Sequence, residues 1–160
     1  AERRLFERGY SVAIVDGDAL RAALNADLGY SHADRAENVR RAAAVASLLA
    51  GAGQVVLVPV IAPFAADRAI AREHAQQPFY EVFVNAPLAA CEQRDPKGLY
   101  RKARAGQIVA FTGIDSPYEP PASPDLEIRT DTCTVDEAVA SLVAFVEART
   151  RLTSGAHRER

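Results

Sequence analysis

The chain has 160 residues, of which 49% are hydrophobic and 25% are charged, a composition typical of a single globular domain. Its net charge of −2 gives no overall positive field that would attract nucleic acid, so any anion site must be a local cluster. No apolar run approaches the roughly 20 residues needed to span a bilayer, and the charged first residues leave no apolar core of a signal peptide. We therefore expect a cytoplasmic protein that binds neither nucleic acid nor a membrane.

Short apolar runs alternate with helical patterns along the chain. We predict helices at 1–9, 36–52, 64–75, 87–91 and 135–148, and strands at 12–15, 55–58, 80–84 and 126–128. Continuous apolar strands separated by helices are typical of a parallel sheet covered by helices on both faces. The predicted class is α/β, in one domain over about 1–150, and we expect the polar tail at 151–160 to be disordered.

The cysteines and histidines show no pattern typical of a metal site. Cys91 and Cys133 lie far apart and lack a C-x-x-C spacing, and the three histidines have no metal-ligand spacing. Free thiols in a reducing compartment are favoured over a disulfide.

Two carboxylates, Asp16 and Asp18, follow directly on the first predicted strand. Ligands of open α/β sheets bind at the carboxyl ends of the strands. There, one carboxylate could help hold Mg²⁺ through water while the other orients or deprotonates a substrate hydroxyl. The alternative is a simple turn, since Asp-Gly is common turn chemistry, and the residues by themselves favour the turn.

A second polar cluster opens the long helix. Ser31 or Asp34 is suited to cap that helix. Arg35 and Asn38, with Arg40, follow within about one and a half turns. Guanidinium groups bind anions in a bidentate manner, although a solvated, charged helix surface explains the same residues.

A basic segment lies at 95–106 and is followed by an aromatic and a turn at 111–118. It carries four cations framed by glycines, namely Lys97, Arg101, Lys102 and Arg104. Glycine-hinged basic segments of this kind cover polyphosphate and exclude water in small kinases. The alternative for Arg101 or Lys102 is a solvated helix face.

These strings together closely resemble the adenylylsulfate kinase family, over residues 1–149. D-G-D-A at 16–19 is similar to the family's D-G-D-N, D-R-A-E-N-V-R-R at 34–41 to its D-R-x-E-N-x-R-R, and 95–113 to its lid. The resemblance implies a P-loop, nucleoside-monophosphate-kinase-like fold with a basic lid. It also implies transfer of the ATP γ-phosphate, with Mg²⁺, to the 3′-hydroxyl of adenosine 5′-phosphosulfate, making 3′-phosphoadenosine 5′-phosphosulfate in sulfate assimilation.

The resemblance also implies roles for individual residues. Asp18 is the main catalytic candidate, acting on the hydroxyl or through Mg²⁺, with Asp16 beside it, and Lys102 stabilises the transferring phosphate. The implied sulfonucleotide contacts are Arg21, Tyr30, Arg35, Asn38, Ile61, Lys97 and Phe111. Within that set, Tyr30 and Phe111 would clamp the adenine. Arg94 would stack on the adenine of ATP, opposite a wall formed by 130–133 that includes Cys133.

The chain departs from the family pattern at three positions. Tyr30 stands where phenylalanine is usual and keeps a stacking face. Ala19 replaces asparagine, and Ala62 replaces a serine associated with a phosphoserine form, so that form is excluded at this position.

In the family, a central strand and a G-x-x-G-x-G-K-[ST]-like loop come before the helix that contains Ala1. A parallel sheet without its central strand leaves two strands with unpaired backbone groups. We therefore expect the sequence to be a fragment of a longer polypeptide, and the alternative is a natural product that has lost this segment. The alternative function is a non-catalytic sulfonucleotide-binding or regulatory domain, and a weaker one is a kinase for another small hydroxyl compound. The family further implies a homodimer, and fusion to or association with sulfate adenylyltransferase.

Overall fold

A computed structural model describes residues 1–150, and the predicted disordered tail at 151–160 lies outside them. The helices and strands, in chain order, are α1 (Glu2–Glu7), β1 (Val12–Ile14), α2 (Gly17–Ala22), α3 (His32–Gly51), β2 (Val55–Leu57), α4 (Ala65–His74), β3 (Val82–Asn85), α5 (Leu88–Arg94), α6 (Leu99–Arg104), β4 (Leu126–Arg129) and α7 (Val135–Arg149). The predicted α/β class is confirmed.

The four strands form two parallel ladders. β1 pairs with β2, with Val12 opposite Val55, and β3 pairs with β4, with Val82 opposite Leu126. Within residues 1–150, no backbone ladder joins one pair to the other. The four predicted strands are present and paired in parallel, but they do not form a single continuous sheet among the described residues.

The apolar core lies where the two terminal helices meet the first ladder. Leu5 and Tyr10 pack with Val143 and Val146, and β1 and β2 contribute partly buried valines. α7 also contacts β4, so this one helix connects both ladders. Ion pairs from Arg4 to Asp136 and from Arg8 to Glu147 join α1 to α7 at the surface.

α3 begins at His32, four residues before the predicted start, because of its cap. The backbone N–H of Asp34 donates to Ser31 Oγ at 3.1 Å, and the backbone N–H of Ser31 donates to Asp34 Oδ2 at 3.3 Å. This reciprocal capping box satisfies two donors that the first turn leaves unpaired. The prediction that Ser31 or Asp34 caps this helix is confirmed, and both residues take part.

Two short helices were not predicted, because polar side chains rather than an apolar pattern start them. Asp16 Oδ1 accepts from the backbone N–H groups of Asp18 and Ala19, each at 2.9 Å, and thereby starts α2. The Asp95 carboxylate accepts from the N–H groups of Tyr100 and Arg101, each at 3.1 Å, and starts α6 inside the basic segment. None of the helices in residues 1–150 has the length and apolar character needed to cross a membrane.

Candidate active site

The two predicted carboxylates have different surroundings at the end of β1. Asp16 uses Oδ1 to cap α2, so the turn and the start of the helix are one feature. Asp18 lies in the first turn of α2 with its side chain 83% exposed, and Lys97 Nζ lies 3.2 Å from its Oδ2. The structure thus brings a cation of the basic segment to the carboxylate proposed for the chemistry.

A magnesium ion is implied by the resemblance, and the side chains fit a site shared with a nucleotide. Among residues 1–150, no three His, Cys, Asp or Glu side chains are grouped so as to hold a metal by themselves. Mg²⁺ in phosphoryl-transfer sites is held by one or two carboxylates together with substrate phosphates. The exposed Asp18 carboxylate suits that arrangement.

Arg21 supports the segment that carries Tyr30. Its guanidinium lies over the Tyr30 ring, 4.5 Å from the ring centroid, and donates to the carbonyl of Gly29 at 2.7 Å. The Tyr30 side chain is exposed. Arg21 therefore holds the ring through a cation–π contact, and the anion contact predicted for Arg21 stays a prediction.

Arg35 joins the Tyr30 segment to the basic segment. Its Nε donates to the carbonyl of Tyr30 at 3.0 Å, and its Nη2 donates to the carbonyl of Ala110 at 2.8 Å. A longer contact of 3.4 Å reaches Thr112 Oγ1. Since a guanidinium has five N–H donors, two have no partner among residues 1–150 and could bind a ligand. Arg35 thus bridges the two segments that carry the predicted adenine clamp.

Phe111 lies in a turn that the Asp115 carboxylate stabilises. That carboxylate accepts from the backbone N–H groups of Ala110 at 2.7 Å and of Phe111 at 2.6 Å. Ala110 has a φ of 56°, which an L-residue adopts only when its surroundings hold it there. The Phe111 ring packs edge-on against Tyr100, with centroids 5.1 Å apart.

Asn38 is buried and paired with a residue that the sequence analysis missed. Asn25, between α2 and α3, donates from Nδ2 to Asn38 Oδ1 at 2.9 Å. A lone asparagine between a leucine and an alanine gives only a weak signal, because nothing local shows that its partner lies 13 residues away.

Neighbouring arginines of α3 fit the alternative of a charged surface. Arg40 pairs with Glu37, and Arg41 pairs with both Glu37 and Asp27. The two guanidinium groups lower the pKa of Glu37 to about 2. These residues form an ion-pair network outside the candidate site.

Arg94 meets the segment predicted to form the other wall of an adenine site. It donates to the carbonyl of Thr130 at 2.6 Å and to Thr130 Oγ1 at 3.2 Å. Cys133 follows on the same segment, partly buried, and both cysteines are free thiols. The structure therefore brings Arg94 to the segment that carries Cys133, and the role of both residues around the ATP base stays a prediction.

The cations of the basic segment divide into two groups. Lys97, Arg101 and Lys102 line an open cavity of about 660 Å³. Arg104 instead pairs with Glu92 at 2.6 Å, which holds α6 against α5. Ile61 is exposed on the loop after β2, next to Ala62, which has a φ of 39°.

A carboxylate after a parallel strand, an arginine and an asparagine near the start of α3 and a cationic segment are the parts expected of a nucleotide-kinase-like protein. The chain belongs to the adenylylsulphate kinase family, whose model matches residues 1–129. The predicted family and fold are thereby confirmed.

Three relatives show the extent of the similarity. The chain is 50% identical to adenylyl-sulfate kinase of Marinobacter nauticus, over 94% of this chain and 76% of that protein. It is 55% identical to the bifunctional enzyme CysN/CysC of Mycobacterium tuberculosis, over 92% of this chain and 24% of that protein. It therefore spans about a quarter of the length of that bifunctional relative. The structure of the Mycobacterium tuberculosis APS kinase CysC in complex with AMPPNP and APS matches with a TM-score of 0.88 and 54% identity, covering 91% of this chain and 86% of that chain.

Proposed function

We propose that the protein containing these residues is an ATP-dependent adenylylsulfate kinase. The observation that carries the proposal is the arrangement of α2, where Asp18 and Arg21 are three residues apart and so share one face of the helix. Asp18 contacts Lys97, and Arg21 lies over the Tyr30 ring. One face of α2 thus connects a carboxylate suited to a hydroxyl with an aromatic suited to a base.

The acceptor nucleotide fits the side chains around that face. Tyr30 and Phe111 stack on its adenine, in the way that aromatic side chains bind bases. The phosphosulfate and ribose are bound by Asn38, Lys97 and the remaining N–H donors of Arg35. The Ile61 side chain lies alongside them. A similar solved structure supports this acceptor, because the Mycobacterium tuberculosis APS kinase CysC is described as a complex with AMPPNP and APS.

In the transfer step, the 3′-oxygen of the acceptor bonds to the γ-phosphorus of ATP while the bond from that phosphorus to the β,γ-bridging oxygen breaks. ADP leaves. Asp18 accepts the hydroxyl proton or holds Mg²⁺, and Asp16 keeps α2 in place. Asp18 would hold Mg²⁺ together with the ATP phosphates, and the ion would neutralise phosphate charge there. Lys102 adds to that stabilisation, and Lys97 lies beside Asp18 between the phosphosulfate and the transferring phosphate. Arg94 and Cys133 contact the adenine of ATP. Ala62 leaves no hydroxyl for a phospho-enzyme, so the transfer is direct.

The test is ADP formation from ATP that depends on adenosine 5′-phosphosulfate. The 160 residues contain no G-x-x-x-x-G-K-[ST] pattern, so the assay is run on this chain and on the chain extended by the codons upstream of it. We expect turnover from the extended chain, and none when adenosine 5′-phosphate replaces the sulfonucleotide. Tight sulfonucleotide binding without ADP formation by either chain would indicate a non-catalytic binding domain instead.

We extend the proposal to assembly and location, as a cytoplasmic homodimer that works with a sulfate adenylyltransferase. Exposed Phe6 on α1 and Val135 at the start of α7 support self-association, because the Arg4–Asp136 ion pair joins these two helices. The bifunctional relative supports a fused or associated partner. Light scattering should give twice the monomer mass, and a monomer at micromolar concentration would contradict the dimer.

A further inference from the structure

Asn25 is a polar side chain that is shielded from water. It is fully buried, with 0% of its surface exposed, in the turn that connects α2 to α3. Its Nδ2 donates to Asn38 Oδ1, and within residues 1–150 its Oδ1 has no hydrogen-bond partner. Burying an amide costs free energy unless its groups are paired. The hydrogen bond to Asn38 is the contact that offsets part of this cost.

The hydrogen bond between the two amides has a preferred direction. In the observed orientation one buried N–H of Asn25 donates to Asn38 and the Asn25 oxygen has no partner among the described residues. If both amides were reversed, the oxygen would accept a hydrogen bond and both buried N–H groups of Asn25 would be without a partner. Buried N–H groups without partners are rarer than buried carbonyl oxygens without partners. The pair therefore favours the orientation in which Asn38 accepts from Asn25.

This orientation determines what Asn38 offers to a ligand. Because its Oδ1 faces Asn25, its NH₂ group points away from Asn25. Asn38 lies three residues after Arg35 on α3, so the two share one face of that helix. The N–H groups of Asn38 and of Arg35 that have no partner among residues 1–150 are thus hydrogen-bond donors on the same side of the helix.

We propose that Asn25 is a positioning residue, which fixes the Asn38 amide as a donor toward the acceptor site. Asn38 then selects an anionic oxygen of the phosphosulfate rather than a hydroxyl hydrogen of the ribose. The inference rests on the proposed function, since that function supplies the anion. The roles of Arg35 and Tyr30 do not depend on it.

The variant Asn25→Asp tests the direction of the bond by pH. At pH 8 the introduced carboxylate has only acceptors, so Asn38 must turn its NH₂ group toward it and loses its donor to the ligand. Hydrogen bonds to charged groups are the stronger class, so we expect the Kd for adenosine 5′-phosphosulfate to rise about 10- to 100-fold. At pH 5 a protonated carboxyl can donate to Asn38 Oδ1, and the Kd should return to within about threefold of the parent chain.

The charged groups around Asn25 stay constant over this pH range. Arg41 donates to the carbonyl of Leu24 and pairs with Asp27 and Glu37. The pKa of Glu37 is about 2, the pKa of Asp27 is lowered by the Arg41 hydrogen bond, and the pKa of Arg41 is raised by both carboxylates. Each Kd is expressed relative to the parent chain at the same pH, which cancels titrations that the two chains share.

Asn85→Asp is the matched control. Asn85 is a partly exposed amide that donates to Glu127 at 2.7 Å, away from the acceptor site. This variant should bind the sulfonucleotide with an unchanged Kd at both pH values. A loss in Asn25→Asp that is equal at pH 5 and pH 8, or no loss at all, would overturn the proposal.

Side-chain NH₂ signals in ¹⁵N NMR of the parent chain provide a test that needs no variant. Without ligand, we expect the Asn25 NH₂ group to exchange slowly and the Asn38 NH₂ group to exchange faster. Added adenosine 5′-phosphosulfate should shift and protect the Asn38 group. Slow exchange of Asn38 and fast exchange of Asn25 before ligand is added would overturn the proposal. If the sulfonucleotide does not bind while the exchange pattern is as expected, the proposed function fails and the orientation stands.

Discussion

The acceptor side of the candidate site, formed by Tyr30, Arg35 and Asn38, differs from the phosphate side, formed by Asp18, Lys97 and Lys102. On the acceptor side, Arg35 is held by two backbone carbonyls, and Asn38 is held by a buried amide. On the phosphate side, the Asp18 and Lys97 side chains are 83% and 70% exposed and share one contact at 3.2 Å. Exposed ion pairs of this kind contribute little to stability.

The difference indicates which side of the site is already ordered before a ligand binds. Side chains fixed by buried contacts and backbone carbonyls lose little conformational entropy on binding, so the acceptor side is preorganised. The charges of the phosphate side lie in water, and in the proposed function they gain strength when bound ATP and the basic segment exclude that water. Substitutions should therefore affect turnover on one side and affinity on the other.

The largest expected effect is on the phosphate side. In the extended chain, Asp18→Asn should lower kcat about 10²- to 10⁴-fold, the usual contribution of a positioned acid or base, while the Kd for the sulfonucleotide changes little. Steady-state kinetics and calorimetry on the same preparation measure both.

Asp16→Asn is the matched change for that experiment. Asparagine caps helices about as well as aspartate, so α2 should be retained and the loss of kcat should be smaller. Equal losses for the two variants would mean that Asp16 takes part in the chemistry and not only in the cap.

The second effect is on the acceptor side. Arg35→Lys keeps the charge but cannot contact Tyr30, Ala110 and Thr112 together, because lysine has no planar fork. We expect Arg35→Lys and Arg35→Ala to raise the Kd for adenosine 5′-phosphosulfate by similar factors, about 10- to 100-fold. Calorimetry on the full chain measures this.

Arg40→Lys controls for a change of charge type on the same helix. Arg40 pairs with Glu37 outside the site. The Kd of Arg40→Lys for adenosine 5′-phosphosulfate should therefore stay within about twofold of that of the parent chain, as for other surface substitutions. If Arg35→Lys also retained affinity, Arg35 would act as a charge for the anion and not as a bridge between the two segments.

The same contrast explains what could be predicted from the sequence. The cap by Ser31 and Asp34 was predictable because its two residues lie three positions apart, and the strands were predictable from apolar runs. The contact of Arg35 with Ala110 joins residues 75 positions apart, and that of Arg104 with Glu92 depends on how α6 lies against α5. Such contacts depend on tertiary structure, so the family resemblance suggested which residues matter but not which of them hold one another.

The smallest expected effect concerns Asp67 on α4, the helix that packs on α3 of the acceptor side. Asp67 is 3% exposed, and burial raises the pKa of its carboxyl. A raised pKa in the folded state means that the stabilisation is greatest below the ordinary pKa of 3.8 and is lost as the pH rises through the folded value. Asp67→Asn should therefore raise Tm at pH 7 by about 2–4 °C, and the gain should vanish near pH 4.

Asp136→Asn provides the comparison for thermal unfolding. That carboxylate is 85% exposed and pairs with Arg4, so its loss should leave Tm unchanged or slightly lower. A lower Tm for Asp67→Asn at pH 7 would mean that the buried carboxylate has a cationic partner in solution.

Asp67 and Asn25 each bury an oxygen that has no partner among residues 1–150. If Asp67→Asn stabilises the fold while Asn25→Asp weakens binding, then burial of a polar group is not by itself a sign of function, and the contact of Asn25 with Asn38 is what separates the two.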